Sequence, residues 1–349
     1  MKKGGGRASI HDVASRAGVS AATVSKFLHG VQTIKPANVA RIKVAINELD
    51  YRLDPLAADL RRSRRNIIGF IVPDLESEFF GALASRLEIL AEEQGYSLSI
   101  ASSHESEERE LKLVERMNDW RVAGTILAPV RSERGLGAER MKEVGMDGVF
   151  VDRVQSDARY DTIGVDNARA SAAVCRAFCD LGHRHVLLLG LGEVSRNVRL
   201  RINGFRDEAA RICPDMRVDA IMGDGGVEDL RAKLGKCLDS GRPTAVYSLF
   251  QKGTHIALSE FRRRGIRCPE DISLIGFDDA DWMQVTYPSV SAVAQPVEKL
   301  ADSAFELLME RLNADKPVAR MHLEDCRLVL RESISAVPDG RDVGKEKAT

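Results

Sequence analysis

The stretch that decides the architecture begins at residue 9: Ser9-Ile10-His11-Asp12-Val13-Ala14-Ser15-Arg16-Ala17-Gly18-Val19-Ser20-Ala21-Ala22-Thr23-Val24-Ser25-Lys26-Phe27-Leu28. Ile10, Val13, Ala14 and Ala17 recur at helical spacing, and Ser9 with Asp12 supplies an N-cap and an acid at N3, which predicts a helix over 10–17. Gly18-Val19-Ser20 breaks it: Gly18 can take the left-handed backbone of a tight turn, Val19 offers one buried anchor, and Ser20 can cap a second helix over 21–28. Val24, Phe27 and Leu28 give that helix its apolar face. A third helix follows, begun by Pro36 and carrying Val39, Ile42, Val44, Ala45, Ile46 and Leu49 to close a three-helix core. Two short helices joined by a glycine turn form a helix-turn-helix, which places its second helix in the major groove of DNA. A small helical hairpin needs the same Ala, Gly and Val for packing alone.

Charge is compatible with the first reading without deciding it. The net charge of −1 over 349 residues hides an asymmetry: residues 1–65 hold 13 Lys/Arg against 5 Asp/Glu, and the remainder holds 38 against 47. A +8 module suits a polyanion through counterion release, whereas a −9 body resists adhering to it. A solvated basic tail would carry the same charge. The chain is long enough for two or three domains. Its longest aliphatic run, Val186 to Leu189, is far short of the ~20 residues of a membrane span. No apolar stretch follows Lys2 and Lys3, so neither a signal peptide nor a membrane partner is expected, and the cytoplasm is the expected location. Six scattered cysteines without a CxxC pair are expected to be free, buried thiols rather than disulfides or zinc ligands.

Residues 10–26, followed by Asp50-Tyr51-Arg52-Leu53-Asp54-Pro55-Leu56-Ala57-Ala58-Asp59-Leu60 and the run Arg61-Arg62-Ser63-Arg64-Arg65, resemble the lactose/galactose repressor (LacI/GalR) family, and the resemblance extends to about residue 333. It implies that Ala21, Ala22 and Lys26 meet base edges. Alanine can reach only a thymine methyl, whereas Lys26 can donate to guanine. Ser9, Ser20, Thr23 and Ser25 fall at phosphate-contacting positions that set register; Ser20 and Thr23 also have a structural reading as caps. His29 stands where many relatives carry Asn. The segment 54–60 is similar to the family's hinge helix, in which Leu60 would wedge into the minor groove with Ala57 packed beside it. Here Leu53-Asp54 replaces the usual Pro-Asn.

From Asn66 short apolar runs alternate with amphipathic stretches: 67–72, 79–94, 96–101, 125–129, 148–152, 186–189, 220–222, 245–249 and 272–277. This βα rhythm makes parallel sheets flanked by helices, with ligands beyond the carboxyl ends of the strands. The resemblance implies two such subdomains of periplasmic-binding-protein type with an effector cleft between them. The expected organisation is a helix-turn-helix domain over 1–53, hinge and linker over 54–65, an α/β core for effector binding and dimerisation over 66–333, and a disordered tail over 334–349.

Polar residues at strand ends mark the cleft. Asp152, Asp278 and Gln295 follow apolar runs, and with Asn197 and Arg201 they match effector-contacting positions of the family. Carboxylates accepting from vicinal hydroxyls beside a forked guanidinium suit a sugar, a sugar acid or a related polyol. Each also has a structural reading: a strand-end Asp can cap a helix, and Arg201 can lie on a surface. Ser77-Glu78-Phe79-Phe80 replaces the family's Asn-Pro-Phe-Phe, and Phe250-Gln251 replaces its Asn-Asp. Phe79 and Phe250 could stack on a sugar face or fill core.

Gly190-Leu191-Gly192 lacks the third glycine of a dinucleotide fingerprint, and no GxSxG, HExxH or P-loop occurs. His183 and His185 do not have metal-ligand spacing. No catalytic residue, cofactor or metal is expected, which leaves a nucleotide-using α/β enzyme or a sugar-binding module without operator function as the weaker alternatives. The tail has no leucine heptads, so a homodimer is expected. Its partners would be double-stranded operator DNA and a small effector that releases it from the operator or, with the opposite sign, recruits it.

Overall fold

A computed structural model describes residues 8–28, 34–51, 65–132, 135–153, 159–192, 195–241, 243–313 and 318–337. The chain divides into two compact units, Met1–Arg65 and Asn66–Thr349. In the first, α1 (Ile10–Ala17) opens on a complete capping box: the Asp12 N–H donates to Ser9 Oγ at 3.3 Å, and the Ser9 N–H donates to Asp12 Oδ2 at 2.8 Å. Gly18 ends it at φ 61°, and the Val19 N–H then closes on the Ala14 carbonyl at 3.0 Å. Helices α2 (Ala21–Leu28) and α3 (Pro36–Glu48) complete the bundle around Val13, Ala14, Ala17, Val24, Ile42 and Ala45. Val44, expected on the inner face of α3, is exposed, because two residues beyond Ile42 lies about 200° around a helix.

The second unit holds two sheets, each of six strands among the described residues. The first is built by β1 (Arg65–Val72), α4 (Glu78–Glu93), β2 (Ser97–Ser102), α5 (Glu107–Asp119), β3 (Val122–Leu127), α6 (Leu136–Glu143), β4 (Gly148–Val151) and β5 (Asp161–Val165). The chain then crosses into α7 (Asn167–Asp180), β6 (His185–Gly190), α8 (Arg196–Ile212), β7 (Arg217–Met222), α9 (Val227–Ser240), β8 (Ala245–Ser248), α10 (Gln251–Arg263), β9 (Ser273–Phe277), α11 (Asp281–Val285) and β10 (Ser291–Ala294). Helix α12 (Val297–Asn313) returns to the first sheet, where Leu300, Ala301, Ala304, Phe305 and Leu308 join its core. β11 (Met321–Glu324) then extends that sheet, and β12 (Arg327–Val329) extends the other. Strand orders are β11-β5-β4-β3-β1-β2 and β12-β10-β9-β8-β6-β7; the pairings β1–β2, β3–β4, β4–β5, β5–β11, β6–β7, β6–β8, β8–β9 and β9–β10 are parallel and β12 against β10 is antiparallel.

Three strands, β5, β11 and β12, have no counterpart in the sequence reading. β5 begins with a buried acid, Asp161, which masks a short apolar run. Two other expectations are corrected. Cys179 and Cys213 are joined by a disulfide, since the packing of α7 on α8 brings the ends of the two helices together. Residues 334–337, expected as the start of a disordered tail, are anchored: His183 Nε2 meets the Ser335 carbonyl at 3.1 Å, and the Val337 N–H donates to the Leu181 carbonyl at 3.0 Å.

Glu110 in α5 is fully buried, and its Oε2 accepts from the Val130 N–H at 2.6 Å. Gly137 leaves the space for it, since a Cβ there would lie 2.5 Å from Glu110 Oε1. Burial pushes this carboxyl up to about 7, against the opposing pull of the Val130 and Gly137 N–H groups. A raised carboxyl costs stability above its folded pKa and recovers it as protons bind on acidification. Chemical denaturation should therefore show wild type gaining up to about 3 kcal/mol on Glu110→Gln between pH 8 and pH 5. A pH-independent difference would contradict the assignment.

Candidate functional site

In the small unit, Val24 faces the core while Ala22 and Lys26, one turn apart on α2, are exposed together. Ala21, Thr23 and Ser25 flank them, half-buried. Ser20 acts as the helix cap: the Thr23 N–H donates to its Oγ at 3.2 Å, and the two hydroxyls meet at 2.8 Å. Ser9 is likewise engaged in the capping box of α1. Arg41 braces the turn by donating to the Gly18 carbonyl at 3.2 Å. His29, and the expected hinge helix with Ala57 and Leu60, lie outside the described residues.

Within the large unit, β4 and β9 each end in an aspartate with left-handed backbone, Asp152 at φ 66° and Asp278 at φ 70°. A short polar side chain tolerates this region, where a bulky one would be strained. The Asp152 N–H donates to the Ile163 carbonyl at 2.8 Å and the Asp278 N–H to the Val293 carbonyl at 3.0 Å, which fixes both residues at their sheet ends. Asn197, in the first turn of α8, donates from Nδ2 to Asp152 Oδ1 at 3.1 Å and so bridges the two subdomains. One turn later Arg201 is 5 % exposed. Its Nε donates to Asn167 Oδ1 at 2.7 Å, its Nη1 donates to the Leu249 carbonyl at 2.6 Å, and the guanidinium lies 3.3 Å over the Phe277 ring. Gln295 Nε2 donates to Asp278 Oδ1 at 2.5 Å.

The electrostatics converge on Arg201. Burial pushes Asp152 up to about 6, opposed by Arg153 and Arg201 and reinforced by Asp278. Burial also raises Asp278, again opposed by Arg201 and by the Gln295 hydrogen bond. One guanidinium is therefore shared by two desolvated carboxylates. Gln295 Oε1 is buried without a hydrogen-bond partner among the described residues, which leaves an acceptor free for a donor. Five of the expected residues, Asp152, Asn197, Arg201, Asp278 and Gln295, thus come together.

Phe79 does not join them. Its ring is buried in the core of the first sheet, edge-to-face with Phe80 at 5.0 Å, because the first turn of α4 faces inward. Phe250 is half-buried at the N-cap of α10, with its ring against Gly253. Sequence reasoning missed Asn167, which orients Arg201, and Arg153, which forks onto Glu105 at 2.5 and 2.6 Å and bonds the Val130 carbonyl at 3.1 Å. No local signal marks Asn167, because its partner is 34 residues away.

Residues 9–54 match the family model for bacterial regulatory proteins of the lacI family, and residues 175–334 match a periplasmic binding protein-like domain. The chain is 30% identical over 332 residues to the HTH-type transcriptional regulator PtxS of Pseudomonas aeruginosa, covering 94% of this chain and 96% of that protein. Its fold is similar to that of the lac repressor dimer bound to operator and the anti-inducer ONPF, with a TM-score of 0.83 at 21% identity over 95% of this chain and all of that one. It is also similar to the transcriptional regulator CelR in complex with cellobiose, with a TM-score of 0.69 at 21% identity, covering 94% and 100%. With a helix-turn-helix unit, a two-sheet core and a relative this similar over nearly its whole length, the chain belongs to the lacI family of bacterial regulatory proteins.

Proposed function

We propose that this regulator is a cytoplasmic homodimer that represses carbohydrate-uptake or catabolic genes and is released from its operator by a sugar-like effector held between the two sheets. The observation that carries the reading is the cluster around Arg201. A buried carboxylate, Asp152, a half-buried one, Asp278, and the unpartnered Gln295 Oε1 offer acceptors, and one oriented guanidinium offers donors. That pattern suits vicinal hydroxyls, each of which both donates and accepts. Cellobiose, carried by the related CelR complex, has such hydroxyls. An effector favouring one arrangement of the subdomains shifts DNA affinity by its differential affinity for the two states.

A thermal-shift panel of neutral sugars, sugar acids, sugar phosphates and polyols tests the effector class. A ligand at 100 times its Kd adds about 2.7 kcal/mol, a shift of several degrees. A panel with no stabilising member would refute the class. On the DNA side, Lys26→Ala should weaken binding to the preferred operator by about 1–3 kcal/mol and binding to random duplex much less. Salt-titrated fluorescence anisotropy checks this, and equal losses on both duplexes would reduce Lys26 to a phosphate contact.

A further inference from the structure

Two of the six cysteines occupy a position that the regulator reading leaves unused. Cys179 lies in the last turn of α7, Cys213 is the C-cap of α8, and their sulfurs are bonded. Both helices begin at the cleft, with Asn167 in the first turn of one and Asn197 and Arg201 early in the other. About 18 Å of α7 separates Asn167 from Cys179 at 1.5 Å per residue. Beside that cleft end, one residue beyond Asn167, the helices touch backbone to backbone: a Cβ on Gly204 would lie 2.4 Å from the Ala168 carbonyl oxygen. The pair is thus clamped by the Arg201–Asn167 bond at the cleft, by the glycine contact, and by the disulfide at the far end.

The two sulfurs differ in surroundings. Cys213 is 2 % exposed, whereas Cys179 is half-buried, which makes Cys179 the more accessible of the two. Arg184 Nη1 donates to the Cys179 carbonyl at 3.3 Å and lies 4.0 Å from its Sγ, with its Nε held by Asp215 at 3.1 Å. A guanidinium there favours Cys179 as a thiolate. Burial pushes the thiols of Cys175, Cys268 and Cys326 up to about 12, which leaves them poor nucleophiles. In a compartment where glutathione holds thiols reduced, a disulfide opens and closes with its surroundings unless its potential is very low.

We propose that Cys179 and Cys213 form a reversible thiol–disulfide modification site, exchanging with small-molecule thiols, that sets how firmly α7 and α8 hold Asn167, Asn197 and Arg201 at the cleft. In reduction, an external thiolate attacks Cys179 Sγ. The Cys179–Cys213 bond breaks, and Cys213 leaves with the electron pair and takes a proton. A second thiolate attacks the external sulfur of the mixed disulfide, releasing a small-molecule disulfide and the Cys179 thiolate beside Arg184. Two external thiols are oxidised and one protein disulfide is reduced; the reverse sequence, driven by the small-molecule disulfide, restores the bond. The consequence for effector response rests on the function proposed above, but the exchange chemistry does not.

The test uses the full wild-type chain equilibrated in glutathione buffers from fully oxidised to fully reduced, with alkylation trapping, peptide mapping and amide hydrogen exchange. The Cys179–Cys213 peptide should appear and vanish reversibly, and reduction should speed exchange at least about tenfold in residues 167–180 and 196–212. Cys179→Ser should exchange like the reduced protein in every buffer. The proposal is overturned if no cross-linked peptide forms under oxidising conditions, if the bond survives excess glutathione, or if exchange in the two helices is the same in both states. None of these readouts involves DNA or a sugar, so they stand apart from the outcome of the regulator assays.

Discussion

Arg201→Ala is expected to abolish the response to effector while leaving operator affinity unchanged in its absence. The guanidinium reaches the cleft already oriented by Asn167, the Leu249 carbonyl and the Phe277 face, so little ordering entropy remains to be lost when a ligand oxygen accepts from it. Truncation removes a charge-assisted contact and the cation shared by Asp152 and Asp278, a loss of about 3 kcal/mol or more, or at least about 100-fold in effector Kd. Both carboxyls then rise further. Since a raised carboxyl costs stability above its folded pKa, the variant's core should lose more stability than wild type on going from pH 5 to pH 8. Calorimetric titration with any sugar found in the thermal-shift panel, together with operator anisotropy, measures the two halves. A normal effector response in the variant would remove Arg201 from the site.

The largest loss of stability is expected from Asp161→Ala. Asp161, at the start of β5, is fully buried, and its Oδ2 accepts from Arg311 Nε at 2.6 Å while its Oδ1 accepts from the Arg320 N–H at 2.7 Å. One carboxylate therefore ties α12 and the approach to β11 onto the first sheet, at the step where the Thr162 N–H donates to the Arg320 carbonyl at 2.8 Å. Arg311 is itself buried, and its Nη2 has no hydrogen-bond partner among the described residues. Losing Asp161 would strand a buried cation at a cost of about 3–5 kcal/mol, or roughly 10 °C in the melting temperature of the core. Replacing both partners together, Asp161→Leu with Arg311→Met, should recover the part of that loss due to the stranded cation, leaving the cost of the Arg320 N–H that loses its acceptor. Thermal melts of the single and double variants check both statements, and a single-variant loss below about 1 kcal/mol would mean that water reaches Arg311.

Much of the molecule is legible in order along the chain because its signals are local. The capping box of α1, the left-handed Gly18 and the inward Val13, Val24 and Ile42 are all set by neighbours within four residues. The βα alternation is likewise a property of successive short windows. Asp152, Asp278 and Gln295 stand at strand ends, where a parallel sheet presents its polar residues to one common edge, but only the resemblance to the LacI/GalR family marked them out as effector contacts rather than helix caps.

What the sequence by itself determined is therefore the kinds of element, their order, and the polar groups that end the strands. Tertiary structure alone decided how distant pieces meet: α12 returning to the first sheet, Asp161 facing Arg311 across 150 residues, Asn167 orienting Arg201, Cys179 bonded to Cys213, and Phe79 turned into the core. The physical reason is that periodicity and capping are written into neighbours, whereas the partner of a buried charge, a thiol or a ring is set by which surfaces the sheets bring together.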